Sequence, residues 1–164
     1  MGSFLEKPLT DKDTHRGEGN GLRWASSAMQ GWRVNMEDAD IAVNKVSKFD
    51  QLSFFGVLDG HGGDLTSKYC GEHLVETIVE QEPFQKVTNA LESNLLKEAL
   101  SLAHFKMDEK LKRLPALYAY SFDFLKSSLA AELFVKSPDT YAMGIKGWEN
   151  IYNGYKRRET EIKG

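Results

Sequence analysis

Apolar positions recur at strand spacing up to Leu58 and at helix spacing from Leu65 onward. Leu22 to Met29 reads as a first strand with Trp24 as its large apolar residue, and Gln30-Gly31 as a turn. Ala39 to Val46 sets Ile41, Val43 and Val46 in loose alternation and predicts a second strand, with Phe49-Asp50-Gln51 as the connection after it. Leu52 to Leu58 carries Phe54, Phe55 and Val57 with little polarity and predicts a buried strand. Three strands joined by short connections favour an antiparallel meander. Residues 7–21, polar and interrupted by Gly17, Gly19 and Gly21, read as an irregular arm.

The helical half begins at Asp64, a short acid placed to cap a helix from Leu65. Cys70, Leu74 and Ile78, with Val75 and Val79 one step round, form its apolar stripe, and Pro83 breaks it. A second helix is predicted over residues 89–112, where Leu96, Leu100, Ala103, Met107 and Leu111 form a core stripe among charged neighbours. Beyond Pro115, Phe122, Leu125, Leu129 and Leu133 again fall at helical intervals, and so do Trp148, Ile151, Tyr152 and Tyr155, the latter weakened by Gly144, Gly147 and Gly154. The fold class is therefore α+β. Residues 1–21 form an arm, 22–114 the main domain and 115–164 a helical or poorly ordered tail.

Composition narrows this picture only slightly. A chain of 164 residues, 41% hydrophobic and 27% charged, suffices for one ordinary globular domain with a sizeable core. A net charge of −3 gives no reason to expect a nucleic-acid surface. One cysteine, Cys70, excludes an internal disulfide and suits a reducing compartment, the cytoplasm or nucleus. No apolar run is long enough to span a bilayer, and the first residues lack a hydrophobic signal core. Gly2 can accept myristate after removal of Met1, which would give weak membrane association, although Glu6 stands where that pattern has Ser or Thr. The alternative for this segment is a free, extended arm.

The chemistry concentrates in two runs, Arg33-Val34-Asn35-Met36-Glu37-Asp38 and Leu58-Asp59-Gly60-His61-Gly62-Gly63. Carboxylates suit hard divalent cations, and two such ions can hold a phosphoryl group and activate a shared water. Asp59 at a strand end can bridge two ions, and the Gly60 carbonyl is unobstructed by a side chain. Glu37 and Asp38 are adjacent, so on a regular strand they face opposite ways unless a bulge re-aims one. Arg33 can grip phosphate oxygens with both arms of its guanidinium. His61 carries the side chain suited to proton transfer near neutral pH. Taken singly, an Asp-Gly turn, a solvated Glu-Asp pair and an isolated histidine are more often structural than functional.

Together, residues 27–39 and 54–63 closely resemble the two N-terminal motifs of the PPM family, the metal-dependent protein serine/threonine phosphatases also called protein phosphatase 2C. The opening residues 1–8, Gly19-Asn20-Gly21-Leu22-Arg23 and Lys68-Tyr69-Cys70-Gly71-Glu72-His73-Leu74 are similar to the animal alpha/beta-type members. The resemblance implies the N-terminal part of an antiparallel β-sandwich flanked by helices. It implies hydrolysis of phosphoserine and phosphothreonine in phosphorylated protein substrates by a metal-activated water. It also implies a pair of Mg²⁺ or Mn²⁺ ions, with Asp59 bridging, Gly60 donating its carbonyl and Glu37 and Asp38 binding directly or through water. Arg33 would hold the phosphate, and His61 would act as general acid.

The resemblance covers about residues 1–82, extends to the helix through Met107-Asp108-Glu109, and stops after Leu114. The family's Ser-Gly-Ser-Thr-Ala, Gly-Asp-Ser-Arg, Asp-Gly-x-Trp-Asp and Asp-Asn stretches do not follow, and Asp123 and Asp139 sit in no matching context. The pattern suggests a C-terminally truncated, alternatively spliced, mispredicted or divergent member with weakened metal binding. Two expectations compete: a metal-dependent phosphatase, and a catalytically impaired phosphatase-like fragment that binds or competes as a module.

Overall fold

The computed structural model describes residues 4–90 and 92–114 in full and the backbone of 126–135 and 143–150. Strands β1 (Phe4–Gly19) and β2 (Leu22–Arg33) form a two-stranded antiparallel sheet. Strands β3 (Ala39–Val43), β4 (Leu52–His61), β5 (Lys126–Val135) and β6 (Met143–Asn150) form a four-stranded sheet in the order β3-β4-β5-β6, antiparallel throughout. Helices α1 (Leu65–Val79), α2 (Glu82–Lys86) and α3 (Ser93–Leu111) lie between β4 and β5 in the chain.

The irregular arm expected over 7–21 is instead strand β1. Asn20 and Gly21, with φ of 53° and 67°, make the left-handed two-residue turn that matches strand twist and reverses the chain. Alternation is absent from β1 because it is exposed almost throughout, so its order comes from pairing with β2 rather than from a buried face. That pairing also replaces the expected meander: β2 joins β1, and β3 joins β4. The turn expected at Gln30-Gly31 is an irregularity inside β2, where Gly31 takes a φ of +68° and the strand continues to Arg33. The second strand stops at Val43, and Val46 instead bridges Phe49 and is buried.

The core forms where β4 meets the helices. Leu52, Phe54 and Leu58 point one way from β4 and join Cys70, Leu74 and Ile78 of α1 and Leu96, Leu100, Ala103, Met107 and Leu111 of α3. Both helical stripes expected from the sequence are thus buried. The boundaries differ locally. Asp64 precedes α1 in a helical conformation, so its carboxylate makes no cap bond and pairs with Lys68, which lowers its pKa. Pro83 occupies the first turn of α2, where a missing N–H costs nothing. Helix α3 starts at Ser93 rather than 89, because the Glu92 carboxylate accepts the N–H groups of Thr88 (3.1 Å) and Asn89 (2.8 Å).

The hairpin is fastened to the opposite side of β3 and β4 by a few polar bonds. Trp24 Nε1 donates to Asn44 Oδ1 (2.7 Å), Asn20 Nδ2 to Ser53 Oγ (2.9 Å) and Ser26 Oγ to Asp40 Oδ2 (2.6 Å). The Trp24 ring lies 6.1 Å from that of Phe55.

The helical tail is corrected where the structure describes it. Residues 126–135 extend the sheet beside β4, and 143–150 beside β5. Leu129 and Leu133 are four apart, a spacing that satisfies one helix face and equally one strand face, so periodicity alone did not separate the two. Phe122, Leu125, Ile151, Tyr152 and Tyr155 lie outside the described residues, as does Gly2.

Candidate active site

The two chemical runs meet at one corner of the molecule. Arg33 ends β2, residues 34–38 cross to β3, and Asp59, Gly60 and His61 end β4 just before α1. The crossing is held at both ends. Gln30 Nε2 donates to the carbonyls of Arg33 (2.9 Å) and Val34 (2.8 Å), fixing the exit from β2. Glu37 fixes the other end: its backbone carbonyl accepts the Ser67 hydroxyl from the first turn of α1.

The Glu37 side chain is the hinge of this corner and is only 14% exposed. Its Oε2 faces Arg33 Nη2 at 3.3 Å, and its Oε1 accepts the Gly63 N–H at 3.2 Å. One carboxylate therefore ties the Arg33 guanidinium to the glycine turn after β4. Gly60 makes the closeness possible. A Cβ there would lie 2.0 Å from the Glu37 carbonyl oxygen and 2.7 Å from Ser67 Oγ, so any side chain would drive the crossing off the strand end.

The remaining residues are less gathered. Asp38 and Asp59 are exposed, and His61 is half-buried at the end of β4. In the β4–β5 ladder Asp59 stands opposite Ser128 and His61 opposite Lys126. Glu37 is largely buried while the adjacent Asp38 is exposed.

Oxygen donors are the right chemistry for Mg²⁺ or Mn²⁺. Yet Glu37 already serves Arg33 and Gly63, and among the described residues no three His, Cys, Asp or Glu side chains gather into a group able to hold a metal. The set Glu37, Asp38, Asp59 and Gly60 thus does not close a coordination shell by itself.

Sequence reasoning missed Gln30 and Ser67, which position the crossing. Gln30 was hidden in an apparent turn. Ser67 lies in the first helical turn, where a hydroxyl carries no signal of its distant partner.

Comparison with known proteins reaches beyond Leu114, where the resemblance read from the sequence stops. The sequence model described as "Protein phosphatase 2C" matches residues 22–121. Human protein phosphatase 1A is 42% identical over 113 residues, which is 68% of this chain and 30% of that protein. Protein phosphatase ppm-1.A of Caenorhabditis elegans is 35% identical over 160 residues, 90% of this chain and 33% of that protein. The chain therefore spans about a third of the length of these relatives. Among solved structures, the serine-threonine phosphatase 2C of Toxoplasma gondii superposes with a TM-score of 0.53 at 15% identity, over 90% of this chain and 53% of that one. That likeness concerns the fold.

Proposed function

We propose, from the premise that this chain belongs to the protein phosphatase 2C family, that it hydrolyses phosphoserine and phosphothreonine in proteins with the help of Mg²⁺ or Mn²⁺. The observation that carries the reading is the Glu37 bridge, which holds the Arg33 guanidinium beside the turn that follows Asp59-Gly60-His61.

Each residue has a role its chemistry permits. Arg33 is 61% exposed, so its free guanidinium edge can receive two phosphate oxygens while Glu37 orients the group. His61 gives a proton to the alkoxide oxygen that leaves with serine or threonine. Asp59, Asp38, Glu37 and the Gly60 carbonyl would be the oxygens this chain offers to a cation, with both Glu37 oxygens having to be shared with Arg33 and Gly63. Such ions, when bound, neutralise phosphate charge and make water a better nucleophile.

The test is release of inorganic phosphate from a phosphothreonine peptide by the purified chain, with and without Mn²⁺, beside Asp59→Asn. Mn²⁺-dependent release that the substitution abolishes is expected. Absence of release, or equal release by the variant, would defeat the reading.

A further inference from the structure

Ser67 is fully buried in the first turn of α1, yet the helix does not depend on its hydroxyl. The hydroxyl lies 3.0 Å from the Asp64 carbonyl, the back-bond a helical serine often makes, but that oxygen already accepts the Lys68 N–H at 3.0 Å. A serine hydroxyl has one proton to give, and the Glu37 carbonyl is the closer of its two acceptors. The neighbouring Thr66 supplies a contrast. It is also buried, and its Oγ1 has no hydrogen-bond partner among the described residues. One turn further along α1, a Cβ built on Gly71 would lie 3.4 Å from the Ala39 Cβ, so the helix runs against the start of β3. Cys70, Leu74 and Ile78 hold the same helix in the core. Ser67 is thus the polar pin between a firmly packed helix and the crossing that follows Arg33.

Resting on the phosphatase reading above, we infer that Ser67 is a positioning residue: by holding the Glu37 carbonyl, its hydroxyl fixes the Arg33 guanidinium for two phosphate oxygens and so sets the affinity for the phosphorylated residue. The connection runs through one amino acid. Ser67 holds the backbone of Glu37, while the carboxylate of Glu37 reaches Arg33 Nη2 at 3.3 Å and the Gly63 N–H at 3.2 Å. A carboxylate that meets two partners at fixed points tolerates little displacement of its own backbone. Arg33 is 61% exposed, so without a placed carboxylate it would spread over many rotamers, and ordering it would then be charged against phosphate binding. The helix core, the crossing and the phosphate-binding group are in this way joined by a single buried hydroxyl.

The test measures binding of a fluorescent phosphothreonine peptide to the full chain by anisotropy, in EDTA so that the peptide stays phosphorylated. Ser67→Ala is expected to weaken binding about tenfold, the order of effect of losing one buried hydrogen bond. Arg33→Lys keeps the charge but not the planar fork that Glu37 orients, so its binding is weaker yet measurable. In that background Ser67→Ala is expected to change affinity by less than about twofold. An equal loss in both backgrounds would show a merely structural role and overturn the inference, as would unchanged binding by Ser67→Ala alone. Thr66→Val removes the neighbouring unpartnered hydroxyl and is expected to leave affinity unchanged. A loss there matching that of Ser67→Ala would place the effect in α1 as a whole and also overturn it. Amide exchange gives a reading that needs no ligand: Ser67→Ala should lower protection of the Gly63 N–H, which Glu37 accepts, and Thr66→Val should not. Protection that persists in Ser67→Ala would count against the role. Should circular dichroism show Ser67→Ala unfolded, Ser67→Cys, with a weaker donor, carries the same comparisons. If the unmodified chain failed to bind the peptide, the inference would fall, and Mn²⁺-dependent phosphate release would decide separately whether the phosphatase reading stands.

Discussion

The helix-backed side of β4 and the β1–β2 hairpin hold the same site by opposite means. On the first, apolar residues from β4, α1 and α3 are removed from water in one continuous cluster. On the second, most side chains are exposed, and attachment to β3 and β4 depends on Trp24, Asn20 and Ser26. Arg33 belongs to the lightly held region, and Asp59, Gly60 and His61 to the packed one. A candidate site built across such a seam can keep its acidic strand end rigid while Arg33 retains freedom to adjust. Glu37 spans the seam, which explains why a half-buried carboxylate is spent on an arginine and a backbone N–H.

This contrast can be broken most strongly in the packed region. Leu96 is fully buried on α3, and Leu96→Ala should cost about 4 kcal/mol through lost transfer energy and a residual cavity. Urea denaturation would measure it. A cost below about 1 kcal/mol would mean that the cluster is looser than its burial indicates.

The seam itself comes next. Gly60→Ala puts a Cβ against the Glu37 carbonyl, a backbone atom that cannot swing aside. A loss of about 3 kcal/mol is expected, together with loss of phosphopeptide binding through displacement of Arg33 and Glu37. Unchanged stability would show that the crossing is not pinned to β4.

A pH titration sharpens the description of the helix pair. Burial on α3 pushes Asp108 up from its ordinary 3.8 to about 6, opposed by the nearby Lys112 charge. The folded protein then holds this proton longer than the unfolded chain does. Stability should therefore be highest below the unfolded pKa and fall as pH rises between about 4 and 6. Asp108→Asn should flatten that part of a plot of melting temperature against pH. A slope that persists would place its source elsewhere. Cys70 in the same layer is pushed up to about 12, first by burial and then by the Asp108 charge, so it should resist alkylation in the folded state.

The smallest effect is expected at the hairpin. Trp24→Phe removes the bond to Asn44 and should cost about 1 kcal/mol. Its more telling readout is amide exchange: β1 and β2 should lose protection while α1 and α3 keep theirs. Uniform loss across the chain would mean that the two regions unfold as one.

Legibility in the sequence followed the same division. The stripes on α1 and α3 and the apolar run of β4 were readable because each is an amphipathic or buried segment with a period of its own. Strand β1 was not, because a strand exposed on both faces carries no alternation; the Asn20-Gly21 pair was its one local sign. Strand β5 was misread because leucines four residues apart fit either period.

The sequence by itself determined the lineage and marked candidate site residues, since Arg33, Glu37, Asp38, Asp59, Gly60 and His61 stand in two specific motifs. It also determined the helical core, because a repeating stripe has few ways to be buried. Only the tertiary structure decided that Glu37 joins Arg33 to Gly63, that Ser67 and Gln30 fasten the crossing, and that Gly60 admits the backbone at its closest approach. The contacts of Glu37 with Gly63, Ser67 and Gly60 link residues far apart in the chain. Their geometry depends on how β4, α1 and the hairpin are placed, which no local period encodes.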